Sequence, residues 1–266
     1  MSAKLIFSDI DDTLINDDLQ VTPKTRDAIR KQIIKGNIFV PTSARLPKGM
    51  MTAVGQILKV CPLIAYNGAL ALDETGRALV TRFFDAKKAA EICRYVDEQD
   101  NSSAWNIYSG YVWYCAEKKS PRVEHEEKIV DVKATPASIE KIVKLQGVHK
   151  ALIMGEPEDL DRMQKELIAK FPDLSFVRSS KILLEVVLKG VSKASAVKIL
   201  AQEYKVPLKD CIAFGDNYND EEMLEEVGHP YLMGNAPVDL QKKFGSDHIT
   251  LDNNHDGIAQ VLDDLE

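Results

Sequence analysis

Long apolar runs are missing from this sequence. No stretch of its 266 residues approaches the length a membrane span requires, and its start lacks the charged, apolar and small-residue succession of a secretion signal. Cysteine is scarce: Cys61, Cys93, Cys115 and Cys211 are widely scattered, none in a Cys-x-x-Cys pair. That excludes a paired metal or redox motif and leaves reduced, mostly buried thiols as the expectation. The five histidines are equally dispersed, with no His-Glu-x-x-His, so a zinc site is not expected. An excess of basic charge is absent too. Lys and Arg number 34 against 41 Asp and Glu, and the net charge of −7 argues against a nucleic-acid partner. Repeats and low-complexity linkers are lacking as well. With 45% hydrophobic and 28% charged residues, the chain has ordinary globular composition, long enough for one large domain or two moderate ones. A cytoplasmic enzyme or binding protein is what remains, and nothing in the sequence speaks to oligomeric state.

What is there is concentrated near the start, in Lys4-Leu-Ile-Phe-Ser-Asp9-Ile-Asp11-Asp12-Thr13-Leu14. The apolar run from Leu5 to Phe7 reads as a buried strand, and it empties into three carboxylates and a hydroxyl. Like charges crowded in a low dielectric repel, so such a cluster calls for a cation. A hard ion with oxygen ligands, Mg²⁺ above all, is the natural partner. Asp-x-Asp alone is more often an ordinary acidic turn, and the rest of the chain has to decide between the two.

Further on, strands and helices alternate. Thr22-Pro23 opens a helix with Ala28, Ile29, Ile33 and Ile34 on one face, and Gly36 stops it. A strand at Ile38–Pro41 delivers Thr42-Ser43-Ala44-Arg45; a helix around Lys48–Lys59 precedes a strand at Leu63–Tyr66 that delivers Asn67-Gly68. This rhythm predicts a parallel α/β sheet. It then breaks. Asp85 caps an amphipathic helix, and Trp105–Tyr108 and Tyr111–Cys115 flank Ser109-Gly110 as a hairpin whose aromatics suggest one packed and one exposed face. Lys118–Lys128 reads as an exposed loop or short helix, followed by a strand near Ile129–Val132, a helix at Ala137–Leu145, a strand at Lys150–Met154, a helix at Pro157–Lys170 and a strand at Leu174–Arg178. This is an inserted α+β module. The first rhythm resumes near Ile182 with a strand at Leu183–Leu188, a helix beginning around Lys193, and a buried strand Cys211–Phe214 ending in Gly215-Asp216-Asn217-Tyr218-Asn219-Asp220. The expected division is a core of residues 1–82 and 186–266 with an insert of 83–185.

Each polar cluster falls where a predicted strand ends, and open parallel sheets bind ligands beyond those ends. Lys193 begins a helix, where the dipole disfavours a cation, so an anion nearby is expected. Taken together, Asp9-x-Asp11-x-Thr13, Ser43, Lys193 and Gly215-Asp216-x-x-Asn219-Asp220 resemble the four-motif signature of the haloacid dehalogenase (HAD) superfamily. Asn67-Gly68-Ala69, Lys189-Gly-Val-Ser-Lys193, Gly234-Asn235-Ala236 and the position of the insert resemble its Cof-type sugar-phosphatase branch, with a type IIB cap. Three positions depart from the usual pattern: Asp12 and Ala194 stand where glycine is commoner, and Thr-Ser-Ala-Arg replaces Ala-Thr-Gly-Arg.

The resemblance implies a Rossmann-like core and a phosphatase for small phosphorylated metabolites, sugar phosphates first. It makes Asp9 the nucleophile of an aspartyl-phosphate intermediate and Asp11 the general acid and base. Mg²⁺ would be held by Asp9, the main-chain carbonyl of Asp11 and Asp216, with Asp220 in support. Ser43, Asn67, Gly68, Lys193 and Asn219 are the expected phosphate and substrate contacts, and the insert would act as a cap. An aspartate at position 11 points to hydrolysis, or to a phosphomutase. A non-catalytic phosphometabolite-binding regulator would be expected to have lost Asp9, Asp11, Lys193 or Asp216, and all four are present.

Overall fold

The computed structural model describes residues 3–99 and 102–265. The chain divides into two compact units, Met1–Val80 with Ser192–Glu266, and Thr81–Val191. The first begins with β1 (Leu5–Asp9), α1 (Pro23–Ile34), β2 (Ile38–Thr42), α2 (Pro47–Val54), β3 (Leu63–Ala65), β4 (Leu70–Leu72) and β5 (Ala78–Thr81). The second contains α3 (Ala86–Asp97), β6 (Ala104–Ser109), β7 (Val112–Ala116), α4 (Pro121–Val130), β8 (Thr135–Ala137), α5 (Ile139–Ile142), β9 (Lys150–Met154), α6 (Pro157–Lys170), β10 (Leu174–Ser180) and β11 (Leu183–Leu188). The first resumes with α7 (Lys193–Glu203), β12 (Ile212–Gly215), α8 (Tyr218–Glu226), β13 (His229–Leu232), α9 (Val238–Phe244) and α10 (Gly257–Asp263).

In the first unit the strands run β13-β12-β1-β2-β3-β4-β5. β1 pairs in parallel with both β2 and β12, so the chain winds outward from it in two directions. The carboxyl end of β1 is therefore the switch point of the sheet, where the helices diverge and leave a crevice. Leu5, Phe7, Val40, Ile64 and Ala213 face a core closed by Val197, Leu200, Met223 and Leu224 of α7 and α8. Strands covered on both faces must be apolar throughout, which is why β1 and β12 read as unbroken runs. α1 starts as its sequence dictates: the Thr22 side chain accepts from the Thr25 N–H, and Pro23 sits where no N–H is needed.

The sheet is not wholly parallel. β4 runs antiparallel to β3, joined by the tight turn Tyr66–Gly68, and three- and four-residue strands at this edge are too short for periodicity to expose. In the second unit the strands run β10-β11-β9-β6-β7-β8. α3 and α6 cover one face, packing Ile92, Cys93, Leu160 and Met163 onto Trp105, Ile107, Ile153 and Val186.

Four expectations need correction here. β11 does not open the returning core: it lies between β10 and β9, antiparallel to both, so the second junction falls at Val191/Ser192 rather than near 186. Its apolar run, broken only by Glu185, fits either sheet, and only pairing decides. Residues 129–132 do not form a strand. Ser120 caps α4, Pro121 takes its first position, and Val123 and Glu127 are buried on one face until Asp131 ends it in a left-handed turn. The helix expected over 137–145 is confined to Ile139–Ile142, because Ala137 closes β8.

The aromatic hairpin, finally, has no fully exposed face, though Val112, Tyr114 and Ala116 of β7 are half-buried. Tyr108 and Trp113, stacked on each other, are as buried as Trp105 and Ile107, and Tyr111 alone stands out at the turn. Their face also carries the buried Lys150–Glu185 ion pair (3.1 Å), with the Lys150 ammonium 4.9 Å from the Tyr108 ring centre.

Candidate active site

At the end of β1 the chain turns sharply through Ile10–Leu14, with Asp12 at φ +56°. Aspartate tolerates this left-handed conformation better than most residues, which explains how it stands where glycine is commoner. The turn is tied down from the far end of the chain: Asn235 donates to the Asp12 carbonyl at 2.8 Å, and the buried Asn253 donates to that of Ile15 at 3.1 Å.

Four distant residues meet at this turn. A carboxylate oxygen each of Asp9, Asp216 and Asp220 lie within 4.8 Å of one another, all three residues buried. The Lys193 ammonium donates to Asp9 Oδ1 at 2.7 Å and to Asp220 Oδ1 at 2.5 Å, its side chain wholly shielded from solvent. Thr13 Oγ1 donates to Asp216 Oδ1 at 2.6 Å, so the first turn also orients the acid that follows β12. Asp220 caps α8, its Oδ2 accepting from the backbone N–H groups of Asp216 and Asn217. Gly215 makes this approach possible, since a Cβ there would lie 2.5 Å from that of Asp220.

Three carboxylates against one ammonium leave the cluster short of positive charge. At an effective dielectric near 20, each pair of like charges at this spacing costs about 3–4 kcal/mol. The titration behaviour follows. Burial, then repulsion from Asp220, lifts the Asp9 carboxyl well above the usual carboxylate range, more than the Lys193 ammonium lowers it. Burial pushes Asp216 up to about 7, against the lowering effect of its hydrogen bond from Thr13. Burial alone would lower Lys193, but the carboxylates of Asp220 and Asp9 outweigh it and hold the ammonium charged. Hydrogen bonds among the described residues engage one oxygen of Asp9 and of Asp216 and both of Asp220. Ligating capacity is thus left on Asp9 and Asp216, and an all-oxygen, buried, under-compensated donor set suits a hard divalent cation.

The other expected residues are placed as follows. Asp11 does not join the acidic trio: its carboxylate meets the Arg45 guanidinium in a two-pronged pair, Nε to Oδ2 at 3.0 Å and Nη2 to Oδ1 at 2.5 Å. Ser43, buried at the end of β2, accepts the Arg45 N–H on its Oγ at 3.0 Å, and its own O–H can donate elsewhere. Asn67 is left-handed at φ +53° and donates its backbone N–H to the Ser43 carbonyl. Gly68 sits against the backbone carbonyl of Ser192, whose side chain caps the helix beginning with Lys193. Asn219 is exposed in the first turn of α8, and among the described hydrogen bonds its side chain makes none.

Arg45, which holds Asp11, is a functional residue that the sequence pattern does not single out. The signal was its spacing of two from Ser43, which places it on the same strand-end loop.

Gly68 lends itself to a direct test. Its φ is +102°, and a Cβ would lie 2.2 Å from the Ser192 carbonyl oxygen. Gly68→Ala is expected to destabilise the protein by about 2 kcal/mol or more, and to lower activity further by displacing Lys193. Urea unfolding and phosphate release measured on the same preparation check both effects.

Comparison with known proteins places this arrangement. A family model described as haloacid dehalogenase-like hydrolase matches residues 6–262. A Haemophilus influenzae protein named as a phosphatase is 33% identical over 264 residues, covering 99% of this chain and 98% of its own. The HMP-PP phosphatase of Klebsiella pneumoniae is 26% identical, covering 98% and 94%. Among solved structures, one from Thermotoga maritima superposes with a TM-score of 0.89 at 28% identity, covering 100% of this chain and 98% of that one. The subclass IIB sugar phosphatase BT4131 shares the fold, with a TM-score of 0.79 at 20% identity and 98% coverage of each chain. The chain belongs to the haloacid dehalogenase superfamily, in its Cof-type branch. It is a phosphatase. No helix among the described residues is long and apolar enough to cross a membrane.

Proposed function

We propose that this phosphatase hydrolyses phosphate monoesters of small metabolites, sugar phosphates foremost, with Mg²⁺ and through a phosphorylated Asp9. The observation that carries this reading is the meeting of Asp9, Lys193, Asp216 and Asp220 at the switch point of the sheet. Asp9 and Asp216, with the Asp11 main-chain carbonyl, would hold the cation and Asp220 would support it from behind. When bound, Mg²⁺ supplies positive charge to the phosphoryl oxygens and completes the neutralisation that Lys193 begins.

The residues divide the work. An oxygen of Asp9 attacks phosphorus while the ester oxygen departs with a proton from Asp11. Water then attacks the phosphorylated Asp9, gives its proton back to Asp11, and inorganic phosphate leaves. Lys193 and the Ser43 hydroxyl hold phosphoryl oxygens in this scheme, with Asn67, Gly68 and Asn219 as further contacts. The second unit acts as the substrate-selecting cap. The Klebsiella relative's name, HMP-PP phosphatase, supports a small phosphorylated substrate.

The test is inorganic phosphate release from a panel of sugar phosphates, nucleotides and pyridoxal phosphate, with Mg²⁺ and after exhaustive chelation. Sugar phosphates are expected to turn over fastest and only with the cation. Equal rates after chelation would remove the metal, and inactivity across the panel the substrate class.

The cation also has a signature in stability. Asp216, raised to about 7, favours its neutral form in the fold, so its contribution to stability is full at low pH and lost as pH rises through 7. A cation needs the ionised form and competes with that proton. Mg²⁺ is therefore expected to raise the melting temperature more at pH 8 than at pH 6. Its apparent dissociation constant should rise up to about tenfold per pH unit below 7. Isothermal titration at both pH values measures this.

A further inference from the structure

The Arg45 guanidinium spends two of its N–H groups on one carboxylate, that of Asp11. The pair gains little as a stabilising contact, because the Asp11 side chain is 47% exposed and half-exposed ion pairs are worth little. Its geometry is another matter. A planar fork fixes both the position and the tilt of the carboxylate it grips, which a point charge cannot do. Arg45 is itself held from three sides. Its N–H bonds to Ser43 Oγ at 3.0 Å, its carbonyl accepts from the Tyr66 N–H at 3.2 Å, and its side chain is only 11% exposed. Asp11, by contrast, rides on a five-residue turn.

We infer that Arg45 is the positioning residue for Asp11, aiming its carboxylate for both proton transfers of the reaction. This rests on the proposed roles of Asp9 and Asp11. The fork occupies one lone pair on each oxygen, and a carboxylate has about four. One remaining site can carry the proton given to the departing oxygen and recovered from the attacking water, while the guanidinium keeps its hold.

A residue acting through Asp11 matters only where Asp11 is needed. p-Nitrophenolate departs without protonation, whereas a sugar alkoxide requires it. Rapid-quench measurement of the first turnover separates the two. In Arg45→Gln, formation of phosphorylated enzyme from a sugar phosphate should fall at least about tenfold, while the p-nitrophenol burst stays within about threefold of wild type. Within the Asp11→Asn background the same substitution should add no further loss. Inhibition by inorganic phosphate should change less than about threefold. Arg45→Lys keeps the charge without the fork and should remain impaired; it also stands in should Arg45→Gln not fold.

Equal losses on the two substrates, an added tenfold loss beyond Asp11→Asn, or markedly weaker phosphate inhibition would each overturn the assignment, the last making Arg45 a phosphate ligand. A wild-type rate for Arg45→Lys would overturn it as well. The wild-type burst is measured first: its absence, with no phosphorylated enzyme from any ester, would remove the proposed mechanism itself and not Arg45 alone.

Discussion

Lys193→Ala is expected to unfold this protein far more easily and to silence it. The substitution leaves Asp9, Asp216 and Asp220 packed together with the ammonium that bridges Asp9 and Asp220 gone. Removing one partner of a buried ion pair typically costs about 3–5 kcal/mol, because the remaining charge is left desolvated and unpaired. Here the loss depends on pH in a definite direction. Asp9 and Asp216 both have raised proton affinity, so they neutralise on acidification and the repulsion fades. The stability deficit should be largest at pH 8 and shrink below about pH 6, and Mg²⁺ should recover part of it by standing in for the missing charge. Catalysis does not recover to the same degree: loss of one charged stabiliser in a water-excluded site costs about 10²–10³-fold or more. Guanidinium unfolding at two pH values, with and without Mg²⁺, together with kcat on the folded fraction, tests the prediction. A deficit independent of pH would mean that the ammonium does not compensate the carboxylates.

Asp9→Asn should separate stability from activity in the opposite way. An asparagine oxygen can still accept from the Lys193 ammonium, while one of three crowded negative charges disappears. The variant is expected to be at least as stable as wild type at pH 8, since the native state no longer bears a carboxylate it would rather protonate. Phosphate release should fall by at least about 10⁴-fold, because an amide oxygen cannot form the phosphorylated intermediate. Thermal melting and a continuous phosphate assay on one preparation are sufficient. Turnover above about one per cent of wild type would remove the covalent mechanism.

Much of the first unit was legible because burial on two faces leaves a plain record. β1, β2 and β12 read as apolar runs, each ending abruptly in polar residues, and a parallel sheet delivers all such ends to one edge. What stayed hidden had weak or ambiguous patterning. β4 and β5 are too short to show a period. β11 is an apolar run broken by one glutamate that suits a strand of either unit, and its partners β9 and β10 are decided by pairing that no local window contains. Tyr108 and Trp113 alternate with Trp105 and Ile107 as a two-faced strand should, yet all four are buried, and alternation cannot say whether the second face meets water.

The chain by itself determined which chemistry is present: carboxylates at positions 9, 11, 216 and 220, one lysine heading a helix, and a serine at a strand end, at spacings that the sheet converts into neighbours. Only the tertiary structure decided how those groups share their bonds. Lys193 bridges Asp9 and Asp220, Thr13 orients Asp216, and Asp11 turns aside to Arg45. The reason is physical. Spacing along a strand–helix alternation sets which loop a residue occupies. The partner of a buried charge is chosen by what else the packed fold brings within hydrogen-bonding distance.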